Sequence, residues 1–375
     1  MRDNKNIVII AILVVCIVIM MLTIVASASF ELGLSAKSAA LYEPITGTFI
    51  YEKQADVRLP MASTTKIMTA LIAIEECQLD ELVEIPGEAV GIEGSSVYLT
   101  EGDTVTVKDL IYSLLLQSAN DAATALALKI SGDVASFAEL MNKKAEQLGM
   151  TNTHFDNPHG LDSQTHYTTA RDLAFLASAA LKNTTLKSIS STYKYSFTIS
   201  GKPRTVVNHN IMLKLYDGAI GLKTGFTRKS GRCLVSAAER DGLTLIAVTL
   251  DAPDDWRDHT ALLDLGFDSY EAVSIDSLLD SEYQVAVMDS DKQQIIAKLQ
   301  AEGISLVKSK DEEGFSAHLD IPSYVVAPIA AGDKIGEVVI ERDGIEIARI
   351  DIVAAEAATS NKKTSIFDIF KPREK

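Results

Sequence analysis

Cysteine is nearly absent: the 375 residues hold three, and Cys16 lies inside an apolar run near the N-terminus. With at most one pair left, a disulfide framework is excluded, and Cys77 and Cys233 are expected as buried free thiols. Basic residues are also scarce. The 35 Lys and Arg stand against 51 Asp and Glu, a net charge of −16. Nucleic acid is thereby excluded as a partner, because a phosphate backbone must be met by clustered cations. No internal repeat and no His-Glu-x-x-His is present. His154, His159, Asp162 and His166 are the nearest thing to a metal-ligand set, and no metal or other cofactor is expected. Charge is missing altogether from Ile7 to Val25. Arg2 and Lys5 precede that run and Ala26-Ser27-Ala28 follows it. Residues 1–28 therefore read as a signal peptide or an N-terminal membrane anchor, with the remainder extracytoplasmic.

What is present fits two globular domains: 47% hydrophobic and 23% charged residues are ordinary for a folded chain. Ala39–Tyr42 and Thr48–Glu52 read as strands around a turn containing Pro44 and Gly47. Helical stripes follow from Ser63 to Ile74, Val107 to Leu116, beyond Asn120 to Ile130, Ala135 to Leu148 and Thr169 to Leu181. Strand character returns at Ile220–Gly225, Cys233–Ala238 and Leu243–Leu250, the last two joined through Asp241-Gly242. Strands, helices and strands again predict an α+β class. Beyond Asp268 the pattern becomes all-β, with Tyr283–Met288, Ser316–Ile321, Ile335–Glu341 and Ile345–Val353 alternating and Asp343-Gly344 as a hairpin turn. The boundaries expected are a catalytic domain over 29–268, a β domain over 269–354 and a tail over 355–375.

Three short motifs carry chemistry. Ser63 and Lys66 are three apart at the start of a predicted helix, so hydroxyl and amine share a face. A serine becomes a nucleophile when something takes its proton, and a lysine does so once burial or a nearby cation lowers its pKa. Ser118-Ala119-Asn120 falls in a break between helices, where a hydroxyl and an amide can relay a proton and orient a carbonyl. Lys223-Thr224-Gly225 ends a predicted strand, placing a cation and a hydroxyl beside a position with no side chain to block a ligand. Each motif alone is equally a helix cap or a strand-end turn.

Together, in this order and on these elements, they resemble the Ser-x-x-Lys, Ser-x-Asn and Lys-Thr-Gly set of penicillin-binding proteins and serine β-lactamases. Asn157-Pro158-His159-Gly160-Leu161-Asp162, followed by Thr168-Thr169-Ala170, and the terminal β domain are similar to low-molecular-mass D-alanyl-D-alanine carboxypeptidases. The resemblance implies an antiparallel sheet packed with helices, Ser63 as acyl-enzyme nucleophile, Lys66 as its base, Ser118 as proton relay and Asn120 as an orienting amide. It implies Lys223 and Thr224 on the substrate carboxylate and the backbone N–H groups of Ser63 and Phe226 as oxyanion hole, where losing a donor costs about 2.7–4 kcal/mol. Arg257 resembles an arginine assisting at the carboxylate, and His159 is expected to hold its loop rather than transfer protons. Peptidoglycan stem peptides are the implied substrates, β-lactams the implied inhibitors, and no cofactor is required. A β-lactamase would need a deacylating glutamate, and no Glu-x-x-Leu-Asn occurs, the Glu139–Asn142 stretch being misspaced. A D,D-endopeptidase on the same site, a metal peptidase and a non-catalytic wall-binding scaffold also compete with the carboxypeptidase.

Overall fold

The computed structural model describes residues 32–300, 305–312, 314–342 and 344–361. The leader with Cys16 and residues 362–375 of the expected tail lie outside the described residues. Among the described residues no helix is long and apolar enough to cross a membrane.

Up to Ser269 the strands are β1 (Ser38–Glu43), β2 (Thr48–Lys53), β3 (Leu82–Glu84), β4 (Thr104–Thr106), β5 (Lys194–Ile199), β6 (Lys202–Val207), β7 (Ala219–Thr227), β8 (Gly231–Arg240) and β9 (Leu243–Leu250). The helices are α1 (Lys66–Glu76), α2 (Val107–Leu116), α3 (Asn120–Ser131), α4 (Val134–Gln147), α5 (Ala170–Lys182), α6 (Thr184–Ser190), α7 (Met212–Leu215) and α8 (Asp255–Ser269). An antiparallel sheet in the order β2-β1-β9-β8-β7 is the frame. Along β9 the two-residue period sends Ile246, Val248 and Leu250 into one core with α1 to α6. The intervening Leu245 and Thr249 face α8, where Gly266 packs so closely that a Cβ would come within 2.4 Å of Leu245 Cδ1. His259 of α8 locks this layer through Ser236 (2.5 Å) and Thr249 (2.9 Å). Helices thus cover both faces of this antiparallel sheet.

Local signals set the helix starts. Thr106, Asp133 and Thr169 cap α2, α4 and α5 by accepting from the backbone N–H three residues on. α1 is buried on every side from Lys66 to Ala73, which makes it the central helix. Ser63 does not open it: residues Ala62–Thr65 form a separate 3₁₀ turn ahead of it. Cys233 is buried, but Cys77 is only half-buried, a correction to the expected pair of buried thiols. It sits at the C-cap of α1, at the margin of the core, where it packs only in part.

Beyond Ser269 a six-stranded sheet runs β14-β16-β17-β12-β11-β15, beside a two-stranded β10–β13. Here β10 is Tyr270–Ser274, β11 Glu282–Met288, β12 Gln294–Leu299, β13 Ser305–Ser309, β14 Ser316–Asp320, β15 Tyr324–Val326, β16 Lys334–Arg342 and β17 Ile345–Ala354. Val285, Ile295, Val338, Ile340 and Ile352 make its own core. The first residues expected as tail are tied to this sheet, since Ala358 and Ile329 exchange backbone hydrogen bonds.

Candidate active site

The 3₁₀ turn bearing Ser63 is clamped from three sides. Thr64 and Thr65 donate their hydroxyls to the carbonyls of Met61 (2.6 Å) and Ala62 (2.8 Å). His166 Nδ1 accepts from the Asp156 N–H (3.0 Å), so Nε2 carries the proton and donates to Thr65 Oγ1 (2.7 Å). Gly160 lies against the same turn at φ +90°, where a Cβ would fall 1.9 Å from the Ala62 carbonyl oxygen. From the sheet side, a Cβ on Gly225 would sit 2.9 Å from Ser63 N. Glycine at 225 therefore lets β7, the edge strand, run its backbone beside the nucleophile.

Lys66 is wholly buried, and its Nζ lies 2.9 Å from Ser63 Oγ, 2.7 Å from Asn120 Oδ1 and 2.5 Å from the His159 carbonyl. Burial first, and the charge of Lys223 second, push its pKa well below the usual lysine range, with Asp121 opposing. A neutral amine has two N–H donors and one lone pair. The Asn120 and His159 oxygens can only accept, so in the neutral amine they would take both N–H groups and leave the lone pair to the Ser63 hydroxyl. Asn120 is fixed in that sense because its Nδ2 donates to the Glu93 carbonyl at 2.5 Å. Asp121 pins the neighbouring loop by accepting from Ser96 Oγ (2.6 Å) and the Leu99 N–H (3.0 Å).

Ser118 stands between α2 and α3 at φ +63°, almost buried, and its hydroxyl bonds to no other described residue. Lys223, within β7, is buried, donates to the Thr224 carbonyl (2.8 Å) and is lowered by burial to about 7. Ser63, Ser118, Thr224, Gly225 and Phe226 line one cleft of about 340 Å³. The Phe226 ring itself is 65% exposed.

Arg257 is not brought there. Expected in a polar loop, it lies in α8, paired with Asp254 (3.3 Å) and Asp258 (3.7 Å). Asp255 and Trp256 face the cleft, and Arg257, one helical step of about 100° beyond Trp256, is not among the residues that line it. The guanidinium in the cleft is that of Arg232, held by Asp255 Oδ1 through Nε (2.9 Å) and Nη2 (2.8 Å) and placed over Trp256. Sequence reasoning missed Arg232, although the hairpin register that sets it opposite Phe226 was the available signal. His209 and Ser95, also on the cleft wall, had no such signal.

His159 accepts at Nδ1 from the Leu161 N–H (3.3 Å), and burial, with Lys66 next, lowers it to about 3. With His166 committed to Thr65 and His154 half-exposed beside Thr165, the histidines of the metal reading serve separate bonds.

Comparison with known proteins agrees with this arrangement. The family model described as D-alanyl-D-alanine carboxypeptidase matches residues 24–254, and that of the penicillin-binding protein 5 C-terminal domain matches residues 270–360. The chain is 34% identical over 337 residues to the D-alanyl-D-alanine carboxypeptidase DacF of Bacillus subtilis, covering 87% of this chain and 86% of that one. It is 40% identical over 243 residues to the D-alanyl-D-alanine carboxypeptidase of Streptomyces sp. K15, covering 59% and 84%. Penicillin binding protein 5 from Haemophilus influenzae superposes with a TM-score of 0.65 at 27% identity, over 87% of this chain and 98% of that one. On these grounds the chain belongs to the D-alanyl-D-alanine carboxypeptidase family.

Proposed function

We propose that this chain removes the terminal D-alanine from peptidoglycan pentapeptides through an acyl-enzyme on Ser63, and that β-lactams acylate the same hydroxyl. The observation that carries the reading is the buried Lys66 amine, whose Nζ lies 2.9 Å from Ser63 Oγ and against the acceptor oxygens of Asn120 (2.7 Å) and His159 (2.5 Å). Lys66 takes the Ser63 proton as Oγ attacks the scissile carbonyl, and the backbone N–H groups of Ser63 and Phe226 receive the oxyanion. Collapse breaks the C–N bond, and the proton returns from Lys66 through Ser118 to the leaving amine. Water then adds to the ester, giving its proton to Lys66, and the shortened peptide leaves as Ser63 is restored. Asn120 holds the substrate amide and Lys66, while Lys223 and Thr224 hold the terminal carboxylate. With Arg257 outside the cleft lining, we assign it no part in binding.

The catalytic domain is taken as 29–268 and the β domain as 269–354. The apolar run Ile7–Val25 supports export by a signal or anchor and action at the outer face of the cytoplasmic membrane. Mass spectrometry of the purified protein with benzylpenicillin, and D-alanine release from a D-Ala-D-Ala peptide, test the proposal. A penicillin adduct and D-alanine with wild type, and neither with Ser63→Ala, support it. A wild type with neither activity refutes it in favour of a scaffold. Cross-linked product in place of the shortened peptide, with D-alanine still released, would mean that an amine, not water, resolves the ester.

A further inference from the structure

The amide of Asn120 can serve Lys66 only one way round. Its Oδ1 accepts from the Lys66 amine (2.7 Å), whereas the flipped amide would offer Lys66 an N–H and compete for the lone pair that Ser63 needs. Asn120 cannot set this by itself, because the two ends of an amide have nearly the same shape. The loop at 93–99 sets it. The Glu93 carbonyl, which can only accept, takes a hydrogen of Asn120 Nδ2 (2.5 Å), and the Ser95 carbonyl takes the Asn120 N–H (2.7 Å). Between them Gly94 stands at φ +96°, and a Cβ there would fall 2.8 Å from Asn120 Nδ2. The close approach of this loop to the amide therefore depends on a missing side chain.

Asp121, buried beside Asn120 in the first turn of α3, bonds to that same loop. Its bond from the Ala122 N–H (2.9 Å) stays within the helix. The others reach across: Ser96 Oγ donates at 2.6 Å, the Val97 N–H at 3.2 Å and the Leu99 N–H at 3.0 Å. A buried carboxylate met by several donors is a strong anchor, because each bond is charge-assisted. Tyr98, between two of the bonded residues, stands at φ +60°, a conformation that a non-glycine residue keeps only where its surroundings impose it. We propose that Asp121 is a positioning residue: it anchors loop 93–99, whose Glu93 carbonyl fixes the Asn120 amide with its oxygen toward Lys66. Asp121 acts on the reaction through Asn120, not by touching the reacting atoms. Its charge also opposes the fall in the Lys66 pKa, an effect that the test separates from positioning. This inference rests on the acyl-enzyme reading.

A double-mutant cycle on the rate of benzylpenicillin acylation, followed as adduct mass against time, is the test. Asp121→Asn should slow acylation roughly tenfold to a hundredfold, the worth of hydrogen bonds to a charged group, and kcat/KM for D-alanine release should fall alike. Ser96→Ala, which removes one anchoring bond and no charge, should slow both by about threefold to tenfold. In an Asn120→Ala background no amide is left to orient, so neither substitution should cost more than about a further twofold. The adduct accumulates even when acylation is slow, which keeps that background measurable. Losses that multiply in full, or no loss from either substitution, overturn the proposal. A loss from Asp121→Asn that persists in the Asn120→Ala background, with none from Ser96→Ala, overturns it in favour of a direct effect of the charge on Lys66. Should Asp121→Asn fail to fold, the Ser96→Ala cycle decides alone. A wild type that penicillin does not label would instead defeat the acyl-enzyme reading.

Discussion

Up to Ser269, charged and polar side chains are drawn into the interior: Lys66, Asn120, Asp121, His166, Asp172, Lys223 and His259 are all buried. From Tyr270 onward, Lys308 is the only such side chain buried among the described residues. Its partners are Glu271 (2.9 Å) and the Glu312 carbonyl (3.1 Å), both on the surface. Elsewhere in this second region charge stays in exposed clusters such as Arg349 with Glu346 and Glu337. Burying a polar group without a partner costs about 1–3 kcal/mol, so a fold that buries many must supply partners for each. The first region does so around Ser63, where the buried groups converge on one hydroxyl. The second region has the composition of a domain stabilised by alternating apolar strands alone.

The sharpest way to break this comparison is to remove one buried lysine from each region. Lys66→Met should lower kcat/KM and the rate of penicillin acylation by roughly 10²–10⁴, the usual range for a general base. Lys308→Met should leave both within about twofold, because its bonds go to Glu271 in β10 and to the Glu312 carbonyl just beyond β13. Comparable losses from the two would mean that burial of a lysine says nothing about chemistry here. Next in size is Gly160→Ala. The methyl would need φ near +90° and would overlap the Ala62 carbonyl at 1.9 Å. A destabilisation of more than about 2 kcal/mol in urea unfolding is expected. Acylation should fall with it, since the displaced turn carries Ser63. Gly344→Ala, in the hairpin of the second region with nothing within 4 Å, should lose far less and leave acylation unchanged.

How much of this was legible in the sequence follows the same division. The α+β order, α2, β9 and the convergence of Ser63, Lys66, Ser118, Asn120 and Thr224 could be read because period and motif order survive folding unchanged. Arg257 could not, because a polar stretch conceals its helical phase until Asp255 and Trp256 are seen to face the cleft. The 3₁₀ turn at Ala62–Thr65 has local bonds from Thr64 and Thr65, but Gly160 and His166, about 100 residues away, also hold it. The apolar period does not separate it from the helix that follows. The hairpin β5–β6 was overlooked as well. Its exposed face breaks the apolar alternation, although Phe197 and Ile199 point inward.

A third test uses acid. His159, His166 and His259 are lowered by burial to about 3, about 4 and about 3. Each is neutral in the folded state, while the unfolded chain binds a proton below about pH 6.5. The unfolded state then holds more protons, so stability falls as pH drops from about 6.5 toward those folded values. All three lie before Tyr270, as does Trp256, the chain's one tryptophan. Tryptophan fluorescence should therefore report acid unfolding at a higher pH than β-sheet circular dichroism, which also counts the second region. Coincident transitions would show that the two regions share one acid-sensitive unit.

The smallest effect belongs to the surface of the second region. Arg349 pairs with Glu346 (2.6 Å) and with Glu337, and these partners hold its pKa above the usual arginine range. Arg349 and Glu346 stand in solvent and Glu337 is half-buried at their side, so water and salt screen most of the attraction and ordering two long side chains offsets the rest. Arg349→Ala should leave the unfolding midpoint unresolved from wild type and acylation of Ser63 unchanged. Whatever small shift exists should vanish when salt is raised to about 1 M, where the screening length is about 3 Å. A large, salt-insensitive loss would place a cooperative network in the second region and remove the contrast with the first.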